Sequence, residues 1–354
     1  MTDYRAEVAD LVNIVVREGA SDLHLSAGRH PMIRVAGNLI PLVKKPVLTK
    51  EDPLGILDVI LSTELKKEFL AEQEVDFSYE HEKSTRFRGN AFFQKGVAGI
   101  ALRVIPNEIK TIADLRLPKI IETFARRKQG FFLVVGPVGQ GKSTTLAAMI
   151  ELINNERAEH IVTIEDPVEY IFKEDRSVID QREVGIDTKD FHSALLSAFR
   201  QDVDVIMIGE MRGPETMSAA VTAAETGHLV LSTLHTNNAA QTIDRIIDSF
   251  PAEQQSQIRV QLAGSLIAIF SQRLVPKVAG GLVPAYELLI NNNAVSSLIR
   301  EGRTHEINIV IETGLEQGMI DMNRSLAELV RRGEITVENA FLHSFNPKSL
   351  EKLI

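Results

Sequence analysis

Cysteine and tryptophan are both absent from the chain, and aromatic side chains supply only 5% of its residues. Without thiols there is no structural disulfide and no thiolate-ligated zinc, and the composition suits a reducing, cytoplasmic compartment. So few aromatics leave little surface on which unpaired bases can stack. Positive charge is also in deficit: 39 Lys and Arg stand against 48 Asp and Glu, a net charge of −9. Nucleic-acid binders draw much of their affinity from neutralising phosphates, so this balance argues against DNA or RNA as the main partner. Long apolar runs are missing too. The stretches near 130–141 and 262–270 fall short of the ~20 residues that span a bilayer. Asp3, Arg5, Glu7 and Asp10 interrupt any apolar core of a secretory signal. What is present, 44% hydrophobic and 25% charged residues over 354 positions, is ordinary for a globular protein large enough for two domains.

Periodicity divides the chain. Residues 4–18 have apolar side chains at helical spacing, "SDLHLS" and "MIRVAGNLI" read as short strands, and 53–71 reads as helix. "VDFSYE" and "RFRGNAFFQKGVAGIALRVI" are strand-like, the second folded back at a glycine-marked turn near 95–99. Residues 1–105 are thus expected to form an α+β domain, and the proline-flanked stretch 106–118 a linker. From 119 apolar strands ("GFFLVV", "HIVTI", "VDVIMIG", "HLVLSTL") alternate with helical segments. That alternation predicts a mostly parallel sheet covered on both faces over 119–290. After Pro284 the pattern reads as mainly helical, with 291–354 as a helical region packed on the second domain.

The sharpest signal is "GPVGQGKST" at 136–144, which follows a predicted strand and opens a predicted helix. Glycines at 136, 139 and 141 let the backbone of Gly136, Pro137, Val138, Gly139, Gln140 and Gly141 curl and turn its N–H groups, which Pro137 alone lacks, inward on phosphates. Lys142 adds a point charge, Ser143 a hydroxyl for Mg²⁺, and Thr144 continues the helix start, where the dipole favours an anion. A glycine-rich turn that binds nothing is the bland alternative, and the strand–loop–helix context weighs against it. The loop predicts a nucleoside triphosphate as ligand. No N-K-x-D guanine-reading segment accompanies it.

Two acidic groups sit just past later predicted strands, at the carboxyl edge where parallel sheets bind ligands. Glu165 (with Asp166 beside it) occupies the place of a water-activating base, and Glu210 that of an acid holding Mg²⁺ through water. Each alone would ordinarily be a solvated turn or a helix cap. In "AAETGHLVLSTLHTNN", His228 begins a predicted strand and His235 follows its end, so the two cannot form a two-ligand metal site on one turn. His235 is placed to sense a γ-phosphate, whereas a lone histidine at a strand end is more often structural.

Together these stretches resemble the secretion and type IV pilus ATPases, most closely their pilus-retraction branch. "GPVGQGKSTTLAAMI" is similar to that family's Walker A, "IVTIEDPVEY" to its Asp box, "DVIMIGEMR" to its Walker B and "AAETGHLVLSTLHTNNA" to its His box. "SDLHLS", "RFRGNAFFQ" and "LIREGRTHEI" extend the resemblance over nearly the whole chain. The resemblance implies a PAS-like N-terminal domain and a RecA-like ATPase domain, with Glu165 as catalytic glutamate, Glu210 as Walker B acid, and His228 and His235 as the His-box pair. It further implies that Arg88 and Arg103 reach ATP held by a neighbouring subunit of a homo-hexamer. The implied motor works with ATP and Mg²⁺ at the inner face of the cell membrane. It drives pilus retraction and twitching motility through an inner-membrane platform protein, with a second pilus ATPase as an open further partner.

Three segments depart from the family pattern: "FRQDVD" at 199–204 lacks an acid and a proline, Gly213 stands where an Asp is usual, and "AVSSLIRE" has Ser296 and Ser297 for Arg and Asn. The related extension and type II secretion ATPases usually carry two C-x-x-C zinc pairs, which a chain without cysteine cannot form. Two rivals stay open at this point: a nucleic-acid translocase on the same scaffold, and a nucleotide-gated adaptor that does not turn over.

Overall fold

Asp3 sets the first helix by accepting the N–H groups of Arg5 and Ala6 on its side chain, and α1 (Tyr4–Arg17) then buries Val8, Leu11, Val12 and Val15 on one stripe. This is a computed structural model describing residues 3–35, 37–82, 85–106 and 108–354. Met1, Thr2, Ala36, Lys83, Ser84 and Asn107, which fall in the expected first domain and linker, lie outside the described residues. The chain divides into two compact units, Met1–Glu108 with Glu169–Ile171, and Ile109–Val168 with Phe172–Ile354. Residues 109–118, part of the expected linker, fold with the second unit, where Ile112 and Leu117 are buried.

The first unit is an antiparallel sheet with helices. Its strands are β1 (Asp22–Ser26), β2 (Met32–Val35), β3 (Asn38–Pro41), β4 (Glu74–His81), β5 (Thr85–Gln94) and β6 (Val97–Ile105). They pair in the order β3-β2-β1-β6-β5-β4, every neighbour antiparallel. One face packs Leu23, Leu25, Phe87, Ile100 and Leu102 into a core with α1. The helix expected over 53–71 is two: α2 (Asp52–Ile60) and α3 (Thr63–Glu72). Leu61 turns extended, and the Ser62 side chain accepts Leu65 N–H to start the second helix.

The second unit is built on seven strands: β7 (Gly130–Val135), β8 (His160–Glu165), β9 (Val178–Glu183), β10 (Val205–Ile208), β11 (Leu229–Leu234), β12 (Leu266–Pro276) and β13 (Leu282–Ile290). Their order is β13-β12-β7-β11-β10-β8-β9, parallel throughout except the β12–β13 hairpin. Before and between them come α4 (Ile120–Ala125), α5 (Lys142–Glu156), α6 (Phe191–Ala198), α7 (Pro214–Glu225), α8 (Ala239–Asp248) and α9 (Ala252–Ser265). The chain closes with α10 (Asn293–Glu301), α11 (Ile307–Thr313), α12 (Met322–Arg331), α13 (Val337–His343) and α14 (Pro347–Glu351). β7 and β11 are buried at every position, as continuous apolar strands with both faces covered must be.

After Pro284 the chain is mainly helical, as expected, but it first completes a strand that the sequence reading left unassigned. Residues 282–290 are a strand, β13, whose "LVPAYELLI" pairs antiparallel with β12 from Ala268↔Ile290 to Pro276↔Leu282. β9 and β12 also went unassigned in the sequence. β9 is half polar, and β12 continues directly from a helix with no glycine or proline between them.

Candidate active site

Parallel pairing brings the ends of β7, β8, β10 and β11 to one edge of the sheet, and four predicted site residues follow those ends. Val135 lies opposite Leu234, Ser232 opposite Ile208, and Ile208 opposite Ile164. Lys142 therefore approaches along the loop after β7, Glu165 ends β8, and Glu210 and His235 follow β10 and β11.

The phosphate loop has the backbone that its glycines foretold. Gly136 has φ +147° and Gly141 φ +77°, both in the region that side chains rarely adopt. Helix α5 begins immediately at Lys142, so its first N–H groups face the loop's concavity. The Lys142 ammonium is buried and donates to the carbonyls of Gly136 and Pro137, each at 2.9 Å, and to His235 Nδ1 at 3.3 Å. Val138 and Gly139 form the exposed crest. The Ser143 hydroxyl makes no hydrogen bond to the described residues, and Thr144 is half-buried behind it.

Because His235 Nδ1 accepts from a lysine, its proton sits on Nε2, which faces Glu210 Oε2 at 3.6 Å. Burial, with the Lys142 charge adding to it, holds the imidazole below its ordinary value, so the ring stays neutral near pH 7. Glu210 is also paired with Arg212, whose guanidinium reaches towards Asp166 at 3.8 Å. Lys142, His235, Glu210, Arg212 and Asp166 thus form one chain of polar contacts along the sheet edge.

Glu165 is 5% exposed, yet it is not a turn residue. Thr163 Oγ1 donates to Glu165 Oε1 at 2.8 Å, and Gln181 Nε2 approaches the same oxygen at 3.4 Å from β9. Neither Thr163 nor Gln181 was singled out from the sequence. Thr163 had a weak signal, a hydroxyl two residues before an acid and so on its face of the strand.

His228 is placed elsewhere. It precedes β11, at the opposite end from His235, and its Nδ1 lies 3.0 Å from Ala223 O with the ring edge-on to Phe199. It is not brought to the phosphate loop of its own chain.

Arg88 and Arg103 belong to the first unit and face each other across β5 and β6 in direct register. Asp22 lies opposite Arg103 on the other side, and Arg34 opposite Asp22, making one row across four strands. Asp22, 6% exposed, accepts Arg103 Nε at 2.8 Å and stands 3.6 Å from Arg34 Nε. The Arg103 side chain is otherwise 71% exposed, and the Arg88 guanidinium has no partner among the described residues. Like charges directly opposite in a sheet are unfavourable, so two facing arginines with free termini suit an anion.

Comparison with known proteins adds to this geometry. A family model described as "Type II/IV secretion system protein" matches residues 6–284. The chain is 44% identical over 334 residues to the type IV pilus retractation ATPase PilT of Pseudomonas aeruginosa, covering 94% of this chain and 97% of that protein. It is 41% identical over 352 residues to the type IV pilus ATPase PilU of the same organism, covering 98% and 91%. Among solved structures, the pilus retraction motor PilT with bound ADP matches with a TM-score of 0.91 at 44% identity, over 97% of this chain and 98% of that one.

Proposed function

From the type II/IV secretion system protein family, to which this chain belongs, we propose the reading of its site: an ATPase whose hydrolysis drives retraction of a type IV pilus. The observation that carries it is Lys142. A buried lysine bonded to two carbonyls of its own phosphate loop is a cation kept where phosphate oxygens will replace those carbonyls. ATP is the substrate. On binding, Lys142 transfers its hydrogen bonds to the phosphates, and His235, freed of it, faces the terminal phosphate together with Glu210. Glu165, held by Thr163, orients and deprotonates the attacking water. Arg88 and Arg103 neutralise charge developing on a γ-phosphate held by a neighbouring subunit of a homo-hexamer.

The Ser143 hydroxyl and the Glu210 carboxylate are hard oxygen donors of the kind Mg²⁺ takes; Ser143 would hold it directly and Glu210 through water. That ion supplies charge neutralisation on the phosphates. Among the described residues no helix is long and apolar enough to cross a membrane. The motor is read as cytoplasmic, bound at the inner face of the membrane through a platform protein.

Lys142→Ala tests the reading. The variant should keep its fold and lose ATP hydrolysis, and cells carrying it should keep surface pili but lose twitching. Near-normal turnover by folded Lys142→Ala protein would sink the ATPase site. Turnover stimulated by DNA, with twitching intact, would favour a translocase instead.

A further inference from the structure

We propose that Gln272, on the strand beside the phosphate loop's own strand, is a positioning residue that sets the shape of the anion-binding loop. The proposal rests on the nucleotide-binding reading above. Gln272 is 3% exposed on β12, which pairs with β7. Both ends of its amide are used. Nε2 donates to the Gln140 carbonyl oxygen at 2.7 Å, and Oε1 accepts Thr145 Oγ1 at 2.7 Å. Two residues further along β12, Leu274 N–H donates to Gln140 Oε1 at 2.7 Å, so Gln140 is gripped by main chain and side chain alike. At the loop's start, a Cβ on Gly136 would lie 2.5 Å from the Gln272 carbonyl oxygen. The loop is therefore seated on β12 at both of its ends.

The consequence follows from peptide geometry. In a planar trans peptide the C=O and the following N–H point in opposite directions. With the Gln140 carbonyl held towards Gln272, the Gly141 N–H is turned to the other side, the concavity where a phosphate binds. Gly141 has φ +77°, the conformation that aligns successive N–H groups into an anion nest. Thr145, one turn into α5, donates to Gln272 and approaches Gly141 O at 3.2 Å, tying the helix start to the same amide. Donors fixed before the ligand arrives bind an anion without the cost of reorganising.

The test uses the full chain and Mg-ADP. Gln272→Met keeps the side chain's length and removes the donor to Gln140. Its Kd for Mg-ADP should rise roughly tenfold, the scale of losing one charge-directed hydrogen-bond donor. The KM for ATP should rise in parallel while kcat at saturation changes by less than about threefold. Thr145→Val removes the other arm and leaves Nε2 on the loop carbonyl, so its loss should be clearly smaller. A glutamine that merely supports the fold would lower the active fraction, reducing kcat per mole with Kd and KM unchanged, and that result overturns the proposal. So does an equal loss in Thr145→Val. Should Gln272→Met not fold, Gln272→Asn carries the test, since its amide stops one methylene short of Gln140; an unchanged Kd again overturns it. A wild-type chain without ADP affinity overturns the nucleotide reading itself, whereas wild-type binding with unaffected variants overturns this proposal alone.

Discussion

A carboxylate at the end of a buried strand has two possible occupations, and the neighbours of Glu165 separate them. A helix cap or turn acid spends its oxygens on backbone N–H groups. Glu165 instead takes a threonine hydroxyl and a glutamine amide on one oxygen, Oε1. That arrangement orients the carboxylate. Glu165→Gln should therefore keep nucleotide affinity and lose roughly 10²-fold or more in kcat, the usual scale of general-base loss. Single-turnover hydrolysis and thermal midpoint, measured on one preparation, decide the matter: lost stability with retained turnover would make the residue structural. At this scale the sequence was most legible where residue type and spacing together encode the chemistry, as at 136–144 and at the acids past β8 and β10. Gln272, Thr163 and Gln181 were not legible. A neutral polar side chain on a strand shows nothing of its partner until pairing brings two distant strands together.

At the scale of elements, alternation of apolar strand and helix revealed the parallel centre of the sheet, β7, β8, β10 and β11. Its flanks were hidden. β13 reads as apolar and aperiodic because both its faces are covered, and Glu287 in its middle looks like a surface residue. It is buried, and it accepts the Ala239 N–H at the start of α8 at 2.8 Å. Burial, with nearby Asp321 adding to it and the Ala239 hydrogen bond opposing, pushes its carboxyl up to about 7. The folded protein then binds more protons than the unfolded chain between the ordinary glutamate value, 4.5, and about 7. Stability consequently falls as pH rises through that window and levels off above it. Glu287→Gln keeps an acceptor for Ala239 and cannot ionise. The variant should gain stability over wild type at pH 8, on the order of 1–3 kcal/mol, and little at pH 4. Equal differences at the two pH values would show that ionisation of Glu287 plays no part.

For the whole molecule, the bulk charge of −9 conceals a local cationic row on the first unit, where Arg34, Arg103 and Arg88 meet a single acid, Asp22. Composition could not show this row, because it is assembled from β2, β6 and β5. We propose that the arginines act on ATP held by a neighbouring subunit, so their role is tested between subunits. Arg103→Ala is an imperfect probe, because it strips buried Asp22 of its 2.8 Å partner. Arg88→Ala is cleaner: an exposed side chain without a partner among the described residues contributes little to folding. Its thermal midpoint should stay near wild type while hydrolysis falls by about 10³-fold, the lower end for a charge-stabilising arginine. Mixing decides whether the effect crosses a subunit boundary. When Arg88→Ala and Lys142→Ala chains co-assemble, some sites join the intact loop of the first to the intact arginine of the second. Activity should then reappear in the mixture, although each variant alone is inactive. Co-assembled mixtures that stay inactive would confine Arg88 to its own chain, and with it the row that Asp22 organises.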